Sequence, residues 1–121
     1  MYKILIADDE GIVIDSLRYI IEKNFGGSCQ LASAKNGRQA IEVAESFRLD
    51  IALLDIQMPG INGLKAMEEI CRQDPKVKTL ILTAYDNFGY AKEALRLGAV
   101  DYLMKPVNKK VIVDRLTGIM R

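Results

Sequence analysis

Apolar positions along the chain change period in a regular rhythm. "YKILIA" (2–7) is a short, nearly uninterrupted apolar run of the kind a strand buried on both faces requires. Val13, Leu17, Ile20 and Ile21 then recur at helical spacing, with a stop expected near Asn24 or the Gly26-Gly27 pair. "CQLASA" (29–34) predicts a second strand, and Ala40, Ile41, Ala44 and Phe47 mark one face of a second helix. "IALLD" (51–55) predicts the third strand; Leu64, Met67, Ile70 and Cys71 the third helix, which Pro75 keeps from running far. "TLILT" (79–83) is followed by a stripe of Ala91, Ala94 and Leu95, closed by Gly98. "DYLM" (101–104) is a short fifth strand, and Val111, Ile112, Leu116, Ile119 and Met120 mark a last helix.

Strand and helix thus alternate five times, with no linker, repeat or low-complexity tract between them. Parallel neighbours joined by right-handed crossovers need an intervening helix, so the pattern predicts an α/β fold with a doubly wound, five-stranded parallel sheet. Ligands of such sheets bind at the carboxyl ends of the strands, near the point where strand order reverses. What each strand ends on therefore carries the functional information.

Strand one runs into Asp8, Asp9 and Glu10, strand three ends on Asp55, strand four on Thr83, and strand five runs into Lys105 and Pro106. Each has an ordinary reading: an aspartate can cap the first helix or close a turn, a threonine can do the same, and a lysine can be solvated. Four of five strand ends nevertheless bring acids, a hydroxyl and an ammonium to one edge.

Composition narrows the chemistry at that edge. The 121 residues fit one domain, and 17 Lys plus Arg against 16 Asp plus Glu leave a net charge of +1, too little for a broad nucleic-acid or membrane field. There is no histidine, which removes imidazole as metal ligand and as general base. Cys29 and Cys71 form no CxxC pair, and free buried thiols in a reducing compartment are expected. The opening "MYKILIADDE" reaches charge too soon for a signal peptide or span, so a cytoplasmic protein is the expectation.

Clustered carboxylates about 4 Å apart repel by roughly 4 kcal/mol at an effective dielectric near 20, so a cation must relieve them. Lys105 supplies one charge. A hard divalent ion with oxygen ligands, Mg²⁺ above all, suits a site with acids but neither imidazole nor thiolate. A carboxylate can itself be the nucleophile in phosphoryl transfer while metal, ammonium and hydroxyl stabilise the transferring group. Nucleotide readings are weak, since "ADDEGIVID" has neither GxGxxG nor a Walker lysine.

The acidic pair Asp8-Asp9 after strand one, "LLDIQMPGINGL" around Asp55, "LTAY" with Thr83, and "GAVDYLMKPV" with Tyr102 and Lys105 together resemble the response-regulator receiver domain of two-component signalling. The resemblance covers essentially all of residues 1–121 and rests on four separated motifs. It implies a flavodoxin-like, CheY-like (βα)5 fold with strand order 2-1-3-4-5. It also implies that Asp55 is the phosphoacceptor, and that Asp9, Asp55 and the Gln57 backbone carbonyl ligate Mg²⁺, with Asp8 acting through water. On the same resemblance Thr83 hydrogen-bonds the phosphoryl group, Lys105 pairs with its charge, and Tyr102 is the aromatic that reorients on activation. Choosing Asp55 over Asp9 as nucleophile comes from the resemblance alone. So does a cis Lys105-Pro106 bond, given a general frequency of only about 5–6% for X-Pro bonds. Met58, Pro59, Gly60 and Gly63 are read as structural residues of the turn after Asp55.

The donor is then a sensor histidine kinase or phosphotransfer protein, and the chain is an acceptor rather than a conventional enzyme. Output is a population shift that remodels the surface of helix 4, strand 5 and helix 5. "LTAYDNFGYAKEALRLGAVDYLMKPV" is similar to receivers that precede an AraC-type DNA-binding domain in bacterial transcription regulators. Tyr85, Phe88 and Tyr90 then lie close to the switch helix, as dimer or interdomain contacts or as the domain's own packing. No DNA-binding module lies in these residues; an effector domain outside them, transcriptional output and a homodimer formed on phosphorylation are what that likeness implies. Two alternatives stay open. A pseudo-receiver would bind without being phosphorylated, although this chain lacks none of the acids, Thr or Lys. An aspartyl-phosphate hydrolase would want a second acid two residues after Asp55, where Gln57 stands.

Overall fold

The computed structural model describes residues 1–84 and 88–120; Tyr85, the Phe88 side chain and Arg121 lie outside the described residues. In chain order the elements are β1 (Tyr2–Ala7), α1 (Gly11–Phe25), a 3₁₀ turn (Gly26–Ser28), β2 (Cys29–Ala34), α2 (Gly37–Ser46), β3 (Ile51–Asp55), α3 (Gly63–Gln73), β4 (Lys78–Thr83), α4 (Phe88–Arg96), β5 (Asp101–Met104) and α5 (Lys109–Met120). The five strands form one sheet in the order β2-β1-β3-β4-β5. Every pairing is parallel. This is the flavodoxin-like, CheY-like arrangement, with strand order reversing between β1 and β3.

The two faces of the sheet carry two separate cores because side chains alternate along each strand. Ile4, Ile6, Ile51, Leu53, Leu80, Leu82 and Leu103 point to one side and pack on Ile14, Leu17 and Ile21 of α1 and Ile112 and Leu116 of α5. Leu5, Ala7, Ala52, Leu54 and Ile81 point to the other and meet Ala40 of α2, Leu64, Met67 and Ile70 of α3, and Ala94 of α4. All five residues of β3 are buried, as a central strand covered on both sides must be.

Helix ends follow local chemistry. Asn36 and Asn62 cap α2 and α3, their side chains accepting from the backbone N–H of Gln39 at 2.8 Å and of Lys65 at 3.0 Å. Gly98, at φ +114°, closes α4: its N–H donates to the Leu95 carbonyl at 3.1 Å and that of Ala99 to Ala94 at 2.9 Å. Those paired bonds form a Schellman motif, which needs the left-handed glycine. The Lys105-Pro106 bond is cis.

Three side chains depart from the expected stripes. Leu95 on α4 and Val111 on α5 are exposed, while Ile14 on α1 is buried although the helical spacing does not single it out. On α4 Ala91 and Ala94 are buried, and Leu95, one residue further round, falls at the edge of the stripe. Cys29 and Cys71 are free, as expected, but half-buried rather than buried. No helix among the described residues is long and apolar enough to cross a membrane.

Candidate functional site

Sheet geometry alone brings three of the expected residues together. Asp8 continues the parity of Ile4 and Ile6, Asp55 that of Ile51 and Leu53, and Lys105 that of Leu103, so all three belong to the α1/α5 side of the sheet at its carboxyl edge. β1 and β3 are neighbours across the point where strand order reverses, which sets the two aspartates side by side. Asp8 stays in the ladder, its N–H donating to the Ala34 carbonyl at 3.0 Å. Asp8 is fully buried and Asp55 only 5% exposed.

Lys105 answers both. Its ammonium nitrogen stands 2.9 Å from Asp8 Oδ2, 3.2 Å from Asp55 Oδ2 and 3.5 Å from Glu10 Oε1. The solvated reading of this lysine is thereby excluded: its side chain is mostly buried and bridges three carboxylates. Capping of α1 by either aspartate is excluded too. Glu10 occupies the N-cap position and makes no side-chain cap bond, while Asp8 Oδ1 accepts from the Glu10 N–H at 2.9 Å.

One ammonium does not neutralise this group. Burial and the neighbouring Asp8 raise the Asp55 carboxyl from its ordinary value to about 6, against the opposing pull of Lys105 and of a hydrogen bond from the Gln57 backbone. Burial pulls Lys105 downward, but Asp8 and Asp55 outweigh it and hold the ammonium above its usual range. Asp8 Oδ2 is buried and, beyond its ion pair with Lys105, has no hydrogen bond. Carboxylate oxygens of Asp8, Asp9 and Glu10 lie within 4.8 Å of one another. An all-oxygen donor set in which three acids and the nearby Asp55 share one ammonium fits a hard divalent cation.

The remaining expected residues sit around this centre. Thr83 is buried at the end of β4, one residue past Leu82, the register partner of Asp55, and its hydroxyl donates to the Ala84 carbonyl at 3.0 Å. Its carbonyl accepts from the Lys105 N–H at 2.8 Å, tying the ends of β4 and β5 together. Tyr102 is half-buried against the core on the α2–α4 side of the sheet. Asp9 and Gln57 are exposed at the mouth. Glu10 is the contact that the strand ends do not assign: it closes the acidic run "DDE", but its partner is 95 residues away in the chain.

The turn after Asp55 is fixed by close packing. A β-carbon on Gly63 would meet the Asp55 carbonyl oxygen at 2.1 Å, and one on Gly37 the Ile61 carbonyl oxygen at 2.0 Å. The Gly63 N–H donates to Ile56 at 2.8 Å, and Gly60 takes φ +73°. Glycine is demanded at these positions by contact and by conformation, and the carboxylate of Asp55 is held accordingly.

Residues 4–117 match the sequence family described as the response regulator receiver domain. An uncharacterized transcriptional regulatory protein of Bacillus subtilis, YesN, is 38% identical over 120 residues, which are 99% of this chain and 33% of that protein. The chemotaxis protein CheY of Thermotoga maritima is 33% identical over 98% of both chains. Among solved structures, the REC domain of AraT, a response regulator from Geobacillus stearothermophilus, superposes with a TM-score of 0.88 at 34% identity, covering 98% of this chain and 92% of that one. The chain thus spans about a third of the regulator YesN and nearly all of the chemotaxis protein.

Proposed function

The chain belongs to the response regulator receiver domain family, and from that premise we propose that Asp55 accepts a phosphoryl group from a phosphohistidine donor in a Mg²⁺-dependent step. The observation that carries this reading is the buried Asp55–Lys105–Asp8 bridge at the carboxyl edge of the sheet, with distances of 3.2 and 2.9 Å. A carboxylate so placed is a nucleophile fixed in position, and with its pKa about 6 it is mostly ionised at neutral pH.

Asp8, Asp9, Asp55 and the Gln57 carbonyl hold the cation in this reading, Asp8 through water. Mg²⁺, when bound, supplies positive charge to the phosphoryl oxygens. A carboxylate oxygen of Asp55 attacks phosphorus, and the phosphorus–nitrogen bond of the donor breaks with its electron pair passing to the imidazole. The chain has no histidine of its own, so the donor is a sensor kinase or a phosphotransfer protein. Lys105 keeps its charge against the incoming oxygens, and Thr83 offers its hydroxyl to them. Occupancy of Asp55 then shifts Thr83 and Tyr102 and with them the surface of α4, β5 and α5. The chain assists its own phosphorylation and dephosphorylation and is otherwise a signalling module, at work in the cytoplasm.

Relatives of both extents support two settings for this module, one within a longer transcriptional regulator and one alone. The likeness of residues 82–107 to receivers of AraC-type regulators favours the first, with the effector domain outside these residues. Residues 1–121 form the receiver in this reading, which leaves a homodimer on phosphorylation open as one output state.

Incubation with a small phosphodonor, with and without Mg²⁺, followed by intact mass, tests the reading. Gain of one phosphoryl group only with Mg²⁺, and none in Asp55→Asn, is the expected result. No gain in a folded protein under any condition would favour a binding module that is never phosphorylated.

A further inference from the structure

Glu10 is an odd choice for the place it occupies. It stands at the N-cap of α1 in extended conformation, φ −95° and ψ 111°, where Ser, Thr, Asp and Asn are preferred because their short side chains reach back to the helix N–H groups. Its carboxylate makes no such bond. The backbone is held at both ends, the N–H by Asp8 Oδ1 at 2.9 Å and the carbonyl by the N–H groups of Val13 and Ile14 at 3.1 and 3.3 Å. With the main chain so fixed, the longer side chain turns across the crevice to Lys105, 3.5 Å away.

We propose that Glu10 is a positioning residue of the cation site, drawing Lys105 toward the mouth of the crevice and so leaving the carboxylates of Asp8 and Asp55 available to a divalent cation. This inference rests on the phosphoacceptor reading of the site. Its physical basis is shared charge. Lys105 is the ammonium that meets Asp8 and Asp55, the same two groups that a bound cation needs. A third carboxylate competing for that ammonium lowers its hold on the other two. The Glu10 carboxylate also lies within 4.8 Å of those of Asp8 and Asp9, so it adds negative potential to the site directly. Asp8 Oδ2 is fully buried and is met by the Lys105 ammonium at 2.9 Å, so a cation that takes this oxygen has to share it with the lysine, whose hold on it is what Glu10 weakens. Both effects have one sign: removing the Glu10 charge weakens cation binding.

The test is a double-mutant cycle read by isothermal titration with Mg²⁺ and by the spin-resonance signal of free Mn²⁺, in wild type, Glu10→Gln, Lys105→Met and the double variant. Gln keeps the shape of an exposed side chain, and thermal melts confirm that each variant is folded. Glu10→Gln is expected to raise the Mg²⁺ dissociation constant about three- to tenfold in the wild-type background and by a smaller factor when Lys105 is already Met. An unchanged dissociation constant in Glu10→Gln overturns the proposal. An equal loss in both backgrounds overturns the positioning role and leaves a simple contribution of charge. Failure of the wild type itself to bind Mg²⁺ overturns the metal-dependent reading of the site and this inference with it, whereas normal wild-type binding with an indifferent Glu10 removes this inference only.

Discussion

Gly63 lies against Asp55 so closely that a β-carbon on it would stand 2.1 Å from the Asp55 carbonyl oxygen and 2.9 Å from the Ile56 α-carbon. The obstruction is backbone, not the end of a flexible side chain, so it cannot be relieved by a rotamer change. Gly63→Ala therefore has to push the first turn of α3 away from the end of β3. An overpacked buried contact of this kind costs roughly 1–3 kcal/mol or more. Urea unfolding should show that loss, and phosphodonor labelling of the variant should be slower as well, because the displaced backbone is that of the acceptor.

Asp55 itself makes the fold less stable at neutral pH. Its carboxyl has a pKa of about 6 in the folded protein against an ordinary 3.8, so the folded state resists ionisation. Below about pH 4 the group is protonated in both states and costs nothing. As pH rises from 4 to 6 the cost accumulates, and above 6 it is fully present. Asp55→Asn cannot ionise and escapes it. The variant is expected to be more stable than wild type by about 1–3 kcal/mol at pH 7, the difference closing toward pH 4. Urea midpoints at both pH values check the sign; a wild type that is the more stable at pH 7 without metal would contradict it. Added Mg²⁺ should narrow the gap at pH 7 by stabilising the ionised carboxylate.

Much of this architecture is legible in the amino-acid sequence. β1, β2, β3 and β5 begin and end where the sequence runs place them; for the central β3 the reason is that a doubly covered strand cannot include an exposed polar residue without losing its packing, whereas the edge strand β2 keeps its bounds with Gln30 and Ser33 exposed. The crevice is legible for the same reason, since strand ends in a parallel sheet share an edge and Asp8, Asp55 and Lys105 fall in the same parity. Helix faces are less sharply defined. Period 3.6 fixes a stripe only to within a residue or so at its border, which is why the spacing includes the exposed Leu95 and Val111 and passes over the buried Ile14. Glu10 is visible only as the last letter of an acidic run. Its contact with Lys105 joins two elements through tertiary packing, and neither periodicity nor cap preference encodes it.

Arg115 and Asp101 form the contrasting kind of ion pair. Both side chains are substantially exposed, at 47% and 32%, so water screens their attraction. Arg115→Ala is expected to change stability by less than about 1 kcal/mol, and salt should erase what difference there is. A loss of several kcal/mol in urea unfolding would show that the pair is coupled to the β5–α5 packing around it.

Lys105→Met puts the buried version of the same interaction to the test. Removing the ammonium leaves Asp8 and Asp55 facing each other in a site from which water is largely excluded, and breaking a buried pair from one side typically costs about 3–5 kcal/mol. Part of that cost is avoided by protonation, since Lys105 is what opposes the rise of the Asp55 pKa. The variant should therefore fall further behind wild type as pH rises above 6, the range in which the wild-type Asp55 is already ionised and the variant's is not. A divalent cation can replace the missing charge and lysine no longer competes with it, so Mg²⁺ should raise the melting temperature of Lys105→Met by more than it raises that of wild type. Equal shifts in the two proteins would mean that the cation does not draw on the carboxylates that Lys105 bridges, and Asp9 at the rim would then have to carry the metal instead.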